Sequence, residues 1–551
     1  MKTDVAIIGG GPAGLMLAIE LGCRGVPCTV LEEDTHSPVL PKANATSART
    51  MEHYRRRGFA DQVRALGLPP GHAQDVVYCT RVAGRELTRF QIPSAEQASR
   101  QASFGDYGSD AWPTPELPHR AQQMVIEPIL KAQAQRYASV DVRFGARAVS
   151  VRDLGDRTSV DFVDATSGES RSLEAAYVIG CDGPRSLVRQ TMGVAYSGQG
   201  KQRRDFFGGQ MVSIYFRAPD LYPLLGKAKA WQYWAFNPQQ RGLLCAINGI
   251  DTFVLIIQLP EGGQANDIDV ATVFREAIGA TFAHDVIALT PWNAGYALVA
   301  ERFRKGRLFV AGDAAHLFTP TGGMGYNTSV DDVVNLGWKL AHVLQGRAPE
   351  SLLDSYEAER RPIAMRNTSF ARSMADSIGS VPVTADLEQD SAAGELARGA
   401  LSKALAVHVA REFNIPGLQL GVCYAGSAIV AQEPTTAPPD EPNRYVPSGY
   451  PGARAPHLQI RDASLLDYFG RDFTLLVLDA SPTEEWEREA TRLGLSLKIL
   501  RWSNAPARAL YGADIVLVRP DHHISWRGDA KADVESVLAR ATGRLAATVA
   551  A

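Results

Sequence analysis

At 551 residues the chain exceeds what one hydrophobic core can serve, so two or three domains are expected. Apolar residues make up 45% and charged residues 21%, with a formal net charge of −3, the balance of an ordinary soluble globular protein. That balance excludes a basic nucleic-acid or anionic-membrane surface, and no window has the apolar length of a membrane span. The cysteines at 23, 28, 79, 181, 245 and 423 form neither a C-x-x-C pair nor a zinc spacing, so reduced thiols in a cytoplasm and no metal centre are expected. The apolar start is not a signal peptide, because Asp4, the glycine cluster and Glu20 interrupt it.

Residues 5–8 are β-branched or small, which suits a strand buried on both faces of a parallel sheet. Gly9, Gly11 and Gly14 follow at G-x-G-x-x-G spacing, and Pro12 and Ala13 open a helix with Leu17, Ala18 and Leu21 on one face. A second apolar run, 28–31, ends in Glu32, whose acid suits the ribose hydroxyls of an adenosine. Strand, glycines, helix, strand and acid in that order predict dinucleotide binding.

A polar loop, 41–49, includes Asn44 and Arg49 and leads into a helix near Thr50. Residues 92–120 lack periodicity and read as an excursion or flap. A helix containing Gln123 follows, then antiparallel strands from 140 to 163 with a turn at 153–157. A buried strand ends at the Asp182-Gly183 turn, with Arg185 just beyond it. From 205 to 260 the pattern is strand-like and rich in aromatics, including Tyr215, Tyr233 and Trp234. Most of these rings read as the core of a sheet face, with a few left to line a flat apolar cavity. Another buried strand stops at Gly312-Asp313, followed by His316 and by a second glycine turn, Pro320 to Asn327, that opens a helix at about Ser329. Helical residues continue to about 380. Seven prolines between 431 and 456 read as an extended linker. Beyond it the order β-α-β-β-β-α looks like a thioredoxin-like domain without its cysteine pair.

The glycine turn with Glu32, the Asp182-Gly183 turn and Gly312-Asp313 together resemble the single-component FAD-dependent aromatic hydroxylases, the class of para-hydroxybenzoate and phenol hydroxylases. The resemblance implies an α/β architecture: a Rossmann-like FAD-binding domain interleaved with a mixed β-sheet substrate domain, plus a C-terminal thioredoxin-like domain. The FAD-binding domain spans 1–400 in segments of about 1–75, 115–190 and 295–400, and the substrate domain takes about 76–114 and 191–294. A connecting helix and linker fill 401–456, and the tail is 457–551. By this resemblance Gly9, Gly11, Pro12, Ala13, Gly14 and Glu32 hold the ADP half of FAD. Arg49 and Gln123 lie along its pyrophosphate and ribityl chain, Asp182, Gly183 and Arg185 serve FAD and NAD(P)H, and Gly312 and Asp313 meet the ribityl or pyrophosphate region. Pro320, Gly323, Gly325, Tyr326 and Asn327 run past the flavin ring, with Asn327 on its pyrimidine edge.

The implied activity is hydroxylation of a small substituted phenol with NADPH or NADH and dioxygen, through a flavin C4a-hydroperoxide. Pro320 would place its carbonyl near the reacting carbon. Phenol hydroxylases carry an aspartate at the loop position aligned with Asn44, and an amide there can hold a phenol but not deprotonate it. Tyr215, Tyr233 and Tyr296, or His316, are the candidates for the missing base. Polyketide tailoring, a flavin halogenase or reductase, and a non-enzymatic flavoprotein sensor are the alternatives, although no halogenase Trp-x-Trp-x-Ile stretch is present. A homodimer is left open; nucleic-acid and membrane partners are not expected.

Overall fold

In the computed structural model, which describes residues 1–100, 111–200 and 206–545, the chain builds its first layer from pieces far apart in sequence. A six-stranded sheet runs in the order 304–305, 308–310, 177–180, 5–8, 28–32, 140–144. Its strands pair in parallel except for the outermost 304–305 pair, and Val5–Ile8 lies at the centre with every residue buried. A parallel sheet covered on both faces needs continuous apolar strands, which these short runs supply. Helix Pro12–Gly22 packs against the long helix Met324–Leu344 on one side. An antiparallel three-stranded sheet, 146–153, 158–164 and 170–175, attaches at the edge.

The second layer is a seven-stranded mixed sheet in the order 285–293, 210–217, 252–258, 242–246, 232–235, 76–79, 86–90. Only the 76–79 and 232–235 strands pair in parallel. Helix Ala392–Phe413 covers part of this sheet, burying Leu401, Leu405 and Val409 in the same core. Part of the excursion expected at 92–120, residues 101–110, lies outside the described residues. Trp112, just after it, is buried and donates its indole N–H to Asn414.

The C-terminal sheet has the order 497–501, 473–477, 515–518, 524–528. Its element order is β-α-β-α-β-β-α, because a seven-residue helix, Ala505–Tyr511, precedes the 515–518 strand and is absent from the sequence reading. Asn504 caps that helix, and Pro506 sits in its first turn, where a missing N–H costs nothing. Residues 546–551 of this tail lie outside the described residues. The proline-rich stretch is not a free linker: Tyr450, Ala453, Arg454 and Ala455 are buried, and Arg454 grips the fully buried Glu52 on the first layer. Among the described residues no helix is long and apolar enough to cross a membrane.

Candidate active site

The strand end at Ile8 delivers the glycine turn against two neighbouring strand ends. A Cβ on Gly9 would lie 2.2 Å from the Cys181 carbonyl oxygen, and one on Gly14 would lie 1.9 Å from the Gly9 carbonyl oxygen. Both glycines are therefore required by the protein's own backbone. Gly11 differs: a Cβ there meets no protein atom within 4 Å, so no part of the chain requires a glycine and the space beside it is open. That open cradle sits at the start of helix Pro12–Gly22, which has no side-chain cap and no acid in its first turn. Uncapped helical N–H groups facing an open cradle suit a pyrophosphate. Glu32 stands beside it, part-exposed, accepting the Gly10 N–H and, at 2.9 Å, the Asp34 N–H. The residues fit the ADP portion of a dinucleotide.

Two more acids close the crevice. Asp182 keeps one carboxylate oxygen on the Val188 N–H at 3.2 Å and leaves the other buried without a partner. Burial pushes its carboxyl above the ordinary range, against hydrogen bonds from Ser186 and the backbone. Asp313 is exposed just beyond the end of its strand, and desolvation by the protein around it raises its pKa, against the pull of His316 and Lys42. Glu127, buried behind Gln123, is pushed up to about 6 by desolvation despite the Gln123 hydrogen bond.

The second glycine turn is bound to the 41–50 loop by a single side chain. The Asn327 carbonyl oxygen accepts the Ser47 N–H at 2.7 Å and the Thr50 hydroxyl at 2.8 Å, while its amide donates to the Ala45 and Gly323 carbonyls at 3.0 and 2.7 Å. These bonds occupy the side chain, so Asn327 locks two cofactor-side loops together instead of presenting its amide to a flavin edge. Tyr326 likewise pairs its hydroxyl with Tyr54. The helix begins at Met324, five residues before the expected start, because Gly323 in a left-handed conformation caps it. Arg49 is also placed differently. Its guanidinium bonds Glu52 at 2.9 Å and the Asp521 carbonyl at 2.6 Å, tying the loop to the C-terminal unit. Gln123 bonds the loop through its backbone, to the Ala43 carbonyl at 2.7 Å, and turns its side chain to Glu127. His316 is fully buried, 2.6 Å from Asp332, and Asp332 also takes Arg360 at 2.8 Å. That arrangement is structural and leaves His316 no access to a substrate.

The substrate-side wall follows from register. Directly opposed residues share a sheet face, and the pairings Tyr215–Val254, Val254–Cys245, Cys245–Gln232 and Trp234–Tyr78 put these side chains on one face. Asn44 hydrogen-bonds the Cys245 thiol, which burial pushes up to about 12, so this face looks toward the 41–50 loop and the glycine turn. Trp234 forms its centre, with Tyr78, Phe206 and Phe207 rings 5.7, 5.9 and 5.7 Å away, and Trp292 lies 6.5 Å from Phe207. Phe207 holds a left-handed φ of 55°, an uncommon state for a bulky residue that costs about 1–3 kcal/mol. Tyr215 is on this face and part-buried. Tyr233 is not: it points to the opposite face, accepting the Ala230 N–H at 2.7 Å, and is a packing residue. Tyr296 lies part-buried in the connection between strands 285–293 and 297–300. The buried Tyr78, Glu127, His408 and Glu412 are absent from the sequence reading. No local motif marks any of them.

Residues 2–371 match the FAD binding domain family, and residues 448–546 match the aromatic-ring hydroxylase C-terminal domain. The chain is 31% identical to the tetracenomycin B2 monooxygenase-dioxygenase of Streptomyces olivaceus, covering 99% of each protein. It is 30% identical to the phenol 2-monooxygenase of a Pseudomonas species (strain EST1001), over 98% of this chain and 92% of that one. Among solved structures, the rebeccamycin biosynthetic enzyme RebC with reduced flavin superposes with a TM-score of 0.88 at 31% identity, covering 99% of both chains.

Proposed function

We infer that this chain, which belongs to the FAD-dependent aromatic-ring hydroxylases and is a flavin monooxygenase, adds a hydroxyl group to a phenolic ring held against the Trp234 wall. NAD(P)H is its electron donor. Bound FAD supplies the redox chemistry that reduces dioxygen and delivers one oxygen atom to the ring. The protein's own contribution is placement and exclusion of water. Gly11 and the helix behind it receive the pyrophosphate, Glu32 the adenosine ribose, and Asp182 and Asp313 the polar middle of the cofactor. Pro320, exposed at the start of the glycine turn, offers its carbonyl to positive charge developing on the ring. Asn44, bonded to Cys245, holds the mouth of the substrate chamber without acting as a base.

The observation that carries this reading is the set of aromatic rings on the one sheet face that looks toward the cofactor cradle. A polycyclic phenolic polyketide is the second reading, favoured by the full-length match to the tetracenomycin B2 enzyme. Substrate-stimulated NAD(P)H oxidation, with product analysis over mono- and polycyclic phenols, tests both. Products lacking a new ring hydroxyl would refute the assignment, and turnover confined to either ring class decides between the two readings.

A further inference from the structure

A polar side chain is built into the aromatic wall. Gln232 lies two residues before Trp234 on strand 232–235, so both point to the same face of the sheet. It is only 6% exposed. Its amide oxygen accepts the Trp234 indole N–H at 3.1 Å. An indole N–H can only donate, so this bond fixes which way round the amide lies, with the oxygen toward Trp234 and the NH2 away from it. The nitrogen meets no acceptor among the described residues, and it is not one of the polar atoms sealed without a partner, so it borders open volume. The residues paired with Gln232 across the sheet are Val76 and Cys245. A valine side chain has no acceptor and a thiol sulfur is a weak one, so both N–H groups are left to be met from the chamber side.

Because the Trp234 indole occupies the amide oxygen, Gln232 offers the chamber donors and no acceptor. The group that completes a donor-only contact is an acceptor-only one. A carbonyl oxygen has two lone pairs and no hydrogen, whereas a hydroxyl in the same place would carry a proton that Val76 and Cys245 receive poorly or not at all. We propose that Gln232 is a specificity-determining residue that binds a carbonyl oxygen of the substrate, so that the ring presented for hydroxylation belongs to a molecule carrying a ketone or quinone group. The inference rests on the reading of the Trp234 face as the substrate wall and adds the class of substituent that this wall selects. Trp234 acts in it twice: its ring supplies the flat apolar surface, and its N–H holds the amide in the orientation the carbonyl needs. A site built to donate hydrogen bonds discriminates against a molecule that lacks the acceptor, because the N–H groups are then left unpaired in a dry chamber. The carbonyl contact sets how the ring lies on the wall and takes no part in the chemical step.

The test uses two probes that differ by one carbonyl, 3-hydroxyacetophenone and 3-ethylphenol, at a pH below the pKa of either phenol. Binding of each to the FAD-loaded protein is read from the perturbed absorbance of the flavin. The unaltered protein should bind the ketone about tenfold more tightly, the worth of about one hydrogen bond. Gln232→Met keeps the length of the side chain and removes its N–H groups, and should bind the two probes alike; flavin content and thermal midpoint check that it is folded. A readout that needs no variant is the carbonyl stretch of the bound ketone, which a hydrogen bond moves to lower frequency than in a hydrocarbon solvent. Equal affinity for the two probes in the unaltered protein, a ketone preference that survives in Gln232→Met, or an unshifted carbonyl stretch would overturn the subsite. Product analysis stays separate: hydroxylation of phenols with no ketone preference loses the subsite and keeps the function. A ketone preference without any hydroxylated product does the reverse.

Discussion

Gly11 and Gly14 belong to the same turn, yet replacing each by alanine separates cofactor binding from folding. At Gly14 the added carbon would lie 1.9 Å from the Gly9 carbonyl, so the turn and the helix behind it must move. At Gly11 the backbone has φ −75° and ψ −172°, a conformation any residue adopts, and the added carbon meets no protein atom within 4 Å. Gly11→Ala therefore leaves the cofactor-free fold as stable as before, or about 0.4–1 kcal/mol more stable through a stiffer unfolded chain. The same methyl occupies the cradle proposed for the pyrophosphate. Overpacking a fitted site costs about 1–3 kcal/mol, equivalent to a roughly five- to 150-fold weaker FAD dissociation constant. Titration of the cofactor-free protein by flavin fluorescence, alongside urea unfolding of both variants, measures the two quantities. A Gly11→Ala protein that binds FAD at full strength, or that unfolds as early as Gly14→Ala, would refute the assignment of the cradle.

Glu127 ties stability to pH. Its folded carboxyl sits at about 6 against an ordinary 4.5, so the native state holds the proton more tightly than the unfolded chain and stability falls as pH rises between those values. The loss is about 2 kcal/mol. Glu127→Gln should gain that much relative to the unaltered protein at pH 7.5 and nothing at pH 4, read from urea midpoints; a pH-independent difference would contradict it. Glu359 is buried and takes Arg519 at 2.7 Å and Lys339 at 2.7 Å. Glu359→Leu leaves the buried Lys339 without its acid and Arg519 with Asp521 alone, and should cost about 3–5 kcal/mol, seen as a drop in the thermal midpoint of the whole chain rather than of its tail alone.

The nucleotide turn was legible because its physics is local. Strand, glycines and acid lie within one short stretch, and Gly9 and Gly14 each answer to a backbone atom beside them. The substrate wall was not legible in the same way. Tyr78 becomes the neighbour of Trp234 only through a parallel pairing between distant strands, and Tyr233 is removed from the site by nothing more than the alternation of its strand. Asn327 stood in the expected place with a different task, since the sequence cannot show that four local partners already occupy its amide. Glu412 was invisible for the opposite reason: an acid in the last turn of a helix carries no signal until the glycine turn is folded against it. The helix Ala505–Tyr511 is short enough that a proline within it masks the pattern.

The docked proline-rich stretch and the Glu359–Arg519 cluster bear on how relatives of this enzyme can be recombined. Arg519 belongs to the tail, while Glu359 and Lys339 belong to helices that also shape the flavin side. Trp338, from one of those helices, sits in the same apolar cluster as Phe473 and Ile515 of the tail. A chimera cut at the linker would thus divide a charge triad and an apolar core between two parents. The seam that keeps both whole runs through three dimensions: exchanging the tail means exchanging the inward faces of helices Met324–Leu344 and Asp354–Gly379 with it.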